Sequence, residues 1–239
     1  MQDQLSAEYR SFFESAVPPQ GLEKRLSNPL LISIGPRWMA CTPRVLFVGQ
    51  ETLRWSECKL ADFVASGYPI QKAIDQYENF GFAKCSHRNR NSPFWRAFRL
   101  LREQINQDGK GDILWTNLFK CDLDGGAVVK KSTSKEALAE ILKFQHGLLT
   151  KEVLVLRPTA VLFFTGPRYD CALRSEFIDA RLRPVDGHRE QELVRIDHPK
   201  LPPATFRTYH PNYLNFSKER WSWLCDIARK LISYGPAAF

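Results

Sequence analysis

The sequence predicts an α/β fold, a three-layer α/β/α arrangement around a central, mainly parallel four-stranded sheet, as a single domain over residues 1–239. Three observations predict it. Four short apolar, β-branched runs recur along the chain, and segments with helical apolar spacing lie between them. No internal repeat, low-complexity tract or linker divides the chain. Strands that alternate with helices favour a parallel sheet, because each crossover lays a helix against one of its faces. With 44% hydrophobic and 25% charged residues the chain can bury one sizeable core.

The first strand is RVLFVGQ at 44–50, which stops abruptly at Gly49, Gln50, Glu51 and Thr52. A helix follows in SPFWRAFRLLREQI, which opens on Ser-Pro and sets Phe94, Phe98, Leu101 and Ile105 on one stripe. DILWTNLF at 112–119 is the second strand. A helical pattern then opens with Thr133 and Glu136 at capping-box spacing, carries Leu138, Ile141, Leu142 and Leu149, and breaks at RPTA. AVLFFTG at 160–166 and ATFRTYHP at 204–211 are the third and fourth strands. A closing helix over 217–234 holds Trp221, Leu224, Ile227, Ala228 and Leu231 in register. Two regions, 52–91 and 169–203, read as rich in loops.

Composition narrows the partners. Lys and Arg outnumber Asp and Glu by 34 to 26, a formal charge of +8, which admits a polyanion such as nucleic acid without specifying one. The opening MQDQLSAEYR lacks the charged head and apolar run of a signal peptide, and no apolar stretch is long enough to span a bilayer. A cytoplasmic location with no membrane partner is expected. The cysteines at 41, 58, 85, 121, 171 and 225 form no C-x-x-C pair and read as buried, reduced side chains. Cys85 and His87, with distant partners, are the one local start of a zinc site, but the expectation is no metal.

In a parallel sheet, ligands bind beyond the carboxyl ends of the strands. All four runs end in polar or small residues, so one crevice is expected to gather Gln50, Glu51, Asn117 and His210, with Leu214 four positions after the histidine. These groups suit one reaction. A carboxamide matches the donor and acceptor of a pyrimidine edge. An imidazole donates to a carbonyl oxygen as charge grows there. A carboxylate stabilises an oxocarbenium-like sugar and orients water. A leucine fills the gap left by an extruded base.

On these residues the sequence resembles the uracil-DNA glycosylase superfamily. LFVGQET looks like its first motif, ILWTNLFKC is similar to the strand with its base-reading asparagine, and TYHPNYL resembles its H-P-S-x-L motif. The three occur in the family's order across residues 44–214. The resemblance implies that Glu51 activates water, Gln50 and Asn117 bind the base, His210 polarises its carbonyl and Leu214 is the wedge. It implies a stacking ring from Phe82, with Phe80 in reserve, and phosphate contacts from Ser92, Arg88 and Arg90 in a stretch from Lys84 to Arg102 with six Lys or Arg and no acid. Arg96, Arg99 and Arg102 are assigned to the outer face of the helix. The implied protein is a monomer acting on duplex or single-stranded DNA without metal or organic cofactor.

Three departures stand out. The acid is glutamate rather than aspartate, so a different water position is expected. Cys121 alone matches a ligand of the iron-sulfur branch, and one thiolate does not hold a cluster. Thr52 and Leu53 replace a Pro and a Tyr whose ring blocks the pyrimidine C5 position, so a 5-substituted pyrimidine stands slightly ahead of uracil as substrate, including modified bases of phage DNA. Two other classes stay open: a catalytically silent DNA-binding sensor of modified bases, and a doubly wound protein that binds a free nucleotide or other small molecule. His198-Pro199 is a rival to His210-Pro211 for the second motif.

Overall fold

Val45, Leu46, Phe47 and Val48 are all fully buried. Four consecutive strand residues are buried only when helices cover both faces of their sheet, because successive side chains point to opposite sides. The computed structural model describes residues 1–80, 91–106, 109–214 and 218–233, with the side chains of 214 and 218–221 outside that description.

In chain order the elements are α1 (Gln2–Ser15), β1 (Arg44–Glu51), α2 (Leu60–Ala65), α3 (Ile70–Phe80), α4 (Pro93–Ile105), β2 (Asp112–Phe119), α5 (Lys135–Gln145), α6 (Leu148–Leu156), β3 (Ala160–Phe163), α7 (Asp170–Glu176), β4 (Arg181–Pro184), β5 (Leu193–Asp197), β6 (Ala204–Thr208), α8 (Pro211–Leu214) and α9 (Lys218–Ser233). The strands form one sheet in the order β2-β1-β3-β6-β5-β4. The four expected strands are its parallel half, β2-β1-β3-β6. The expectation of four strands is corrected to six in a mixed sheet, because β5 runs antiparallel to β6 and β4 antiparallel to β5. This hairpin lies in the region read as loop. Its outer strand, RLRP, is short, charged, mostly exposed and ends in proline, all features that blunt a sheet edge and also hide it from a search for apolar runs.

α4 and α9 pack together over the face that carries Phe47, whose ring meets Phe94 and Phe98 at 5.0 and 5.4 Å. α4 begins as its sequence requires: Ser92 caps it by accepting from Trp95 N, Pro93 follows, and Ala97, Phe98, Leu101 and Ile105 face inward. Arg96 and Arg102 are exposed on the opposite side, and Arg99 is half-buried. In α9, Leu224, Ile227, Ala228 and Leu231 are buried as the register predicts. On the other face α1 packs on α6. The long pattern after β2 divides into α5 and α6 at Gly147, which sits at φ 88, and the α5 cap is Ser134 rather than Thr133. α2 and α3 occupy the region 52–91 that read as loop; α3 buries Ile70, Ala73, Ile74 and Tyr77 at helical spacing. No described helix is long and apolar enough to cross a membrane.

Candidate active site

The carboxyl ends of β1 and β2 and the turn after β6 enclose a cavity of about 250 Å³, lined by Gln50, Glu51, Ser92, Asn117 and His210 together with aromatic side chains. That volume falls just below the roughly 300–1,000 Å³ of typical drug-sized pockets, and suits one heterocycle better than a dinucleotide. Five of the residues picked from the sequence thus share one opening.

Gly49 explains how they fit. It pairs with Asn117 across the two parallel strands. A Cβ at Gly49 would stand 2.3 Å from the Asn117 amide and 2.8 Å from the Phe94 ring, so only glycine lets both side chains cross the end of β1. Asn117 is almost fully buried. With its amide oriented to satisfy both ends, it donates to Thr116 O at 3.0 Å and accepts from Thr52 N at 3.2 Å. Each end keeps one further N–H or lone pair for a ligand. Gln50 donates from Nε2 to Thr165 O at 2.7 Å, which ties β1 to the turn after β3 and leaves its amide oxygen to offer.

Glu51 has no cationic partner at bonding distance among the described residues. Its two carboxylate oxygens lie 2.7 Å from the hydroxyl of Tyr169, which donates to them. Burial pushes the Glu51 carboxyl up to about 7; the Tyr169 hydrogen bond, the Arg168 charge and a hydrogen bond from the Val128 backbone N–H pull it part of the way back, and buried Asp122 opposes them. Tyr169, the partner of Glu51, has no local signal in the sequence. It lies just after β3, and only the strand order, which places β3 beside β1, brings it to Glu51.

His210 is two residues past β6. Its Nδ1 accepts from Asn212 N at 3.2 Å, so the neutral ring carries its proton on Nε2. Burial lowers its pKa to about 4, which keeps the imidazole neutral at physiological pH. The rival His198 follows β5, which runs against the other strands and so ends at the opposite edge of the sheet; it packs on Phe177 and does not line the cavity.

No protein-family model and no curated protein sequence matches the chain.

Trp55, Phe80, Phe94, Trp95 and Trp115 form the aromatic side of the cavity. Phe80 is the reserve ring for stacking, and Phe94 belongs to the apolar stripe expected of its helix; Trp95 follows it in α4 and Trp115 lies in β2. The Phe94 ring lies 6.1 Å from the His210 ring and within 19° of parallel to it. Phe82, Arg88 and Arg90 lie outside the described residues, as do Cys85 and His87. Leu214 ends α8, and its side chain is outside the description. Ser92 combines its place in the lining with the α4 cap. Among the described residues no group of three or more His, Cys, Asp or Glu is placed to hold a metal ion.

Proposed function

We propose that the protein, acting as a monomer on cytoplasmic DNA, is a monofunctional DNA glycosylase that hydrolyses the N-glycosidic bond of a pyrimidine swung out of the helix. The observation that carries this reading is the convergence of Glu51, Asn117 and His210 on one cavity of base-like size. As the bond lengthens, the base takes up negative charge and the sugar positive charge. His210 donates Nε2–H to the base carbonyl, and a neutral donor in a buried site needs no change of protonation to do so. Asn117 reads the adjoining ring edge with its free donor and acceptor. Ionised Glu51 faces the oxocarbenium-like sugar and takes a proton from the attacking water as its oxygen bonds the anomeric carbon; the base departs as an anion held by His210 and takes up a proton from solvent, Glu51 returns its own to solvent, and an abasic sugar and a free base remain.

The substrate is uracil or, ahead of it, a pyrimidine bearing a 5-substituent, as in modified phage DNA. Leu53, at the position where the uracil-specific branch has its blocking ring, lines the cavity with an aliphatic side chain that is 68% exposed. The test is a panel of labelled oligonucleotides with uracil, thymine, 5-hydroxymethyluracil, 5-hydroxymethylcytosine or glucosylated cytosine, scored for alkali-labile breaks and, by mass, for released base. Breaks that vanish in Glu51→Ala while DNA binding persists are expected. Binding without breaks on any base would make the protein a sensor instead, and product from uracil alone would overturn the preference for a 5-substituent.

A further inference from the structure

Asp122 is a carboxylate buried to 1% exposure that bolts two cavity-side loops together. One oxygen accepts from Thr52 Oγ1 at 3.3 Å and Trp55 N at 3.1 Å; the other accepts from Gly125 N at 2.9 Å. Between the two bonded residues of the first loop stands Arg54, with φ of 52. That left-handed conformation is strained for a residue with a side chain, and persists where the surroundings over-determine it. Here Asp122 supplies the constraint. The Arg54 stem runs over Gly125: a Cβ there would meet Arg54 Cγ at 3.3 Å and Nε at 4.0 Å. Arg54 is exposed and lines the mouth of the cavity, and among the described residues its guanidinium has no hydrogen-bond or salt-bridge partner. Asp124, the exposed acid of the second loop, is held by Arg25 at 2.7 Å. Lys59 and Lys130 stand close enough to Asp124 to help hold its carboxyl below the usual range, after the larger effect of Arg25.

We propose that Arg54 grips a phosphodiester of the DNA strand beside the extruded nucleotide. The inference rests on the glycosylase reading and adds to it a backbone contact. A flipped nucleotide enters the cavity with its flanking phosphates at the mouth, where a planar guanidinium offers two parallel N–H groups to phosphate oxygens. A backbone locked by Asp122 holds the arginine in place before DNA arrives, so less freedom is lost on binding.

The test measures affinity of the Glu51→Gln protein, which binds without turnover, for uracil- and 5-hydroxymethyluracil-containing duplexes between about 50 and 200 mM salt. Adding Arg54→Ala is expected to weaken binding about tenfold on both duplexes and to make the slope of log K against log salt shallower by about one. Arg54→Gly is expected to do the same while melting no lower, since glycine adopts the left-handed backbone without strain. An unchanged slope with DNA still bound would overturn the role of Arg54 and leave the glycosylase reading standing. A loss confined to the 5-hydroxymethyluracil duplex would overturn it too, by pointing to the base substituent. A parent protein with no salt-dependent affinity for DNA would bring down both.

Discussion

Two glutamates on opposite faces of the sheet, one fully buried and one half-buried at the cavity, show what separates a structural charge from a reactive one. Glu152 is fully buried and fully satisfied: Tyr9 donates to one oxygen at 2.7 Å, while Thr116 and Lys120 donate to the other at 2.9 and 2.6 Å. These partners tie α1, β2 and α6 into one network. Glu51 has a neutral phenol in place of an ammonium, and an open cavity in place of a packed wall. A carboxylate locked to a buried ammonium and two hydroxyls has no partner left to offer; Glu51, desolvated and held by a phenol and a backbone N–H rather than by a bonded cation, sits near the pH at which it can trade protons with water. The motif TNLFK straddles both, since Thr116 and Lys120 face the network and Asn117 faces the cavity.

The contrast predicts that the two residues fail differently. Glu51→Ala should lower glycosylase turnover by roughly 10²–10⁴-fold with the fold retained, as expected for loss of a proton-transferring group. Glu152→Ala strands the Lys120 ammonium without its counter-ion and should cost about 3–5 kcal/mol of stability, read as a lower urea midpoint. Turnover per folded molecule should stay near that of the parent. If Glu152→Ala silenced the folded protein while Glu51→Ala only destabilised it, the comparison would be reversed.

Glu51→Gln sharpens the point by separating activity from stability. The folded pKa of about 7 lies above the ordinary 4.5, so ionising Glu51 opposes folding. That penalty is nil below about pH 4.5, grows as pH rises, and is complete above about 7, where it reaches roughly 3 kcal/mol. Glutamine carries no such penalty and can still accept from Tyr169. The variant should therefore be inactive yet more stable than the parent at pH 8, with the gain vanishing near pH 4. Equal melting temperatures at both pH values would mean that Glu51 is better solvated than its surroundings indicate. Gly49→Ala should act next in size, about 1–3 kcal/mol of destabilisation together with lost turnover, because the added methyl displaces Asn117 and Phe94.

What the sequence disclosed follows from the same physics. The parallel strands are buried on both faces, so they appear as unbroken apolar runs, and their polar ends mark Glu51, Asn117 and His210. The antiparallel hairpin has one poorly covered strand and no such run. Tyr169, Asp122 and the tryptophans of the cavity have roles set by strand order and loop contact, which no local period encodes. Gly49 was legible as the stop of a strand, but its reason, the passage of two side chains over one backbone position, needs the neighbouring strand.

Tyr169→Phe has the smallest expected effect and tests the mechanism most directly. The hydroxyl favours ionised Glu51, so removing it should move the carboxyl above 7. Activity that requires the carboxylate rises with pH through that value, and the whole rising limb of kcat/KM should shift to higher pH in the variant. At pH 7 the loss should be about fivefold, corresponding to a shift of about one unit; at pH 9 most of the activity should return. His210, already neutral above about 4, should add no inflection between about pH 5 and 8 in either protein. A phenylalanine that merely loosened the turn would lower activity by the same factor at every pH. Only a pH-dependent loss identifies the phenol as the group that keeps Glu51 poised.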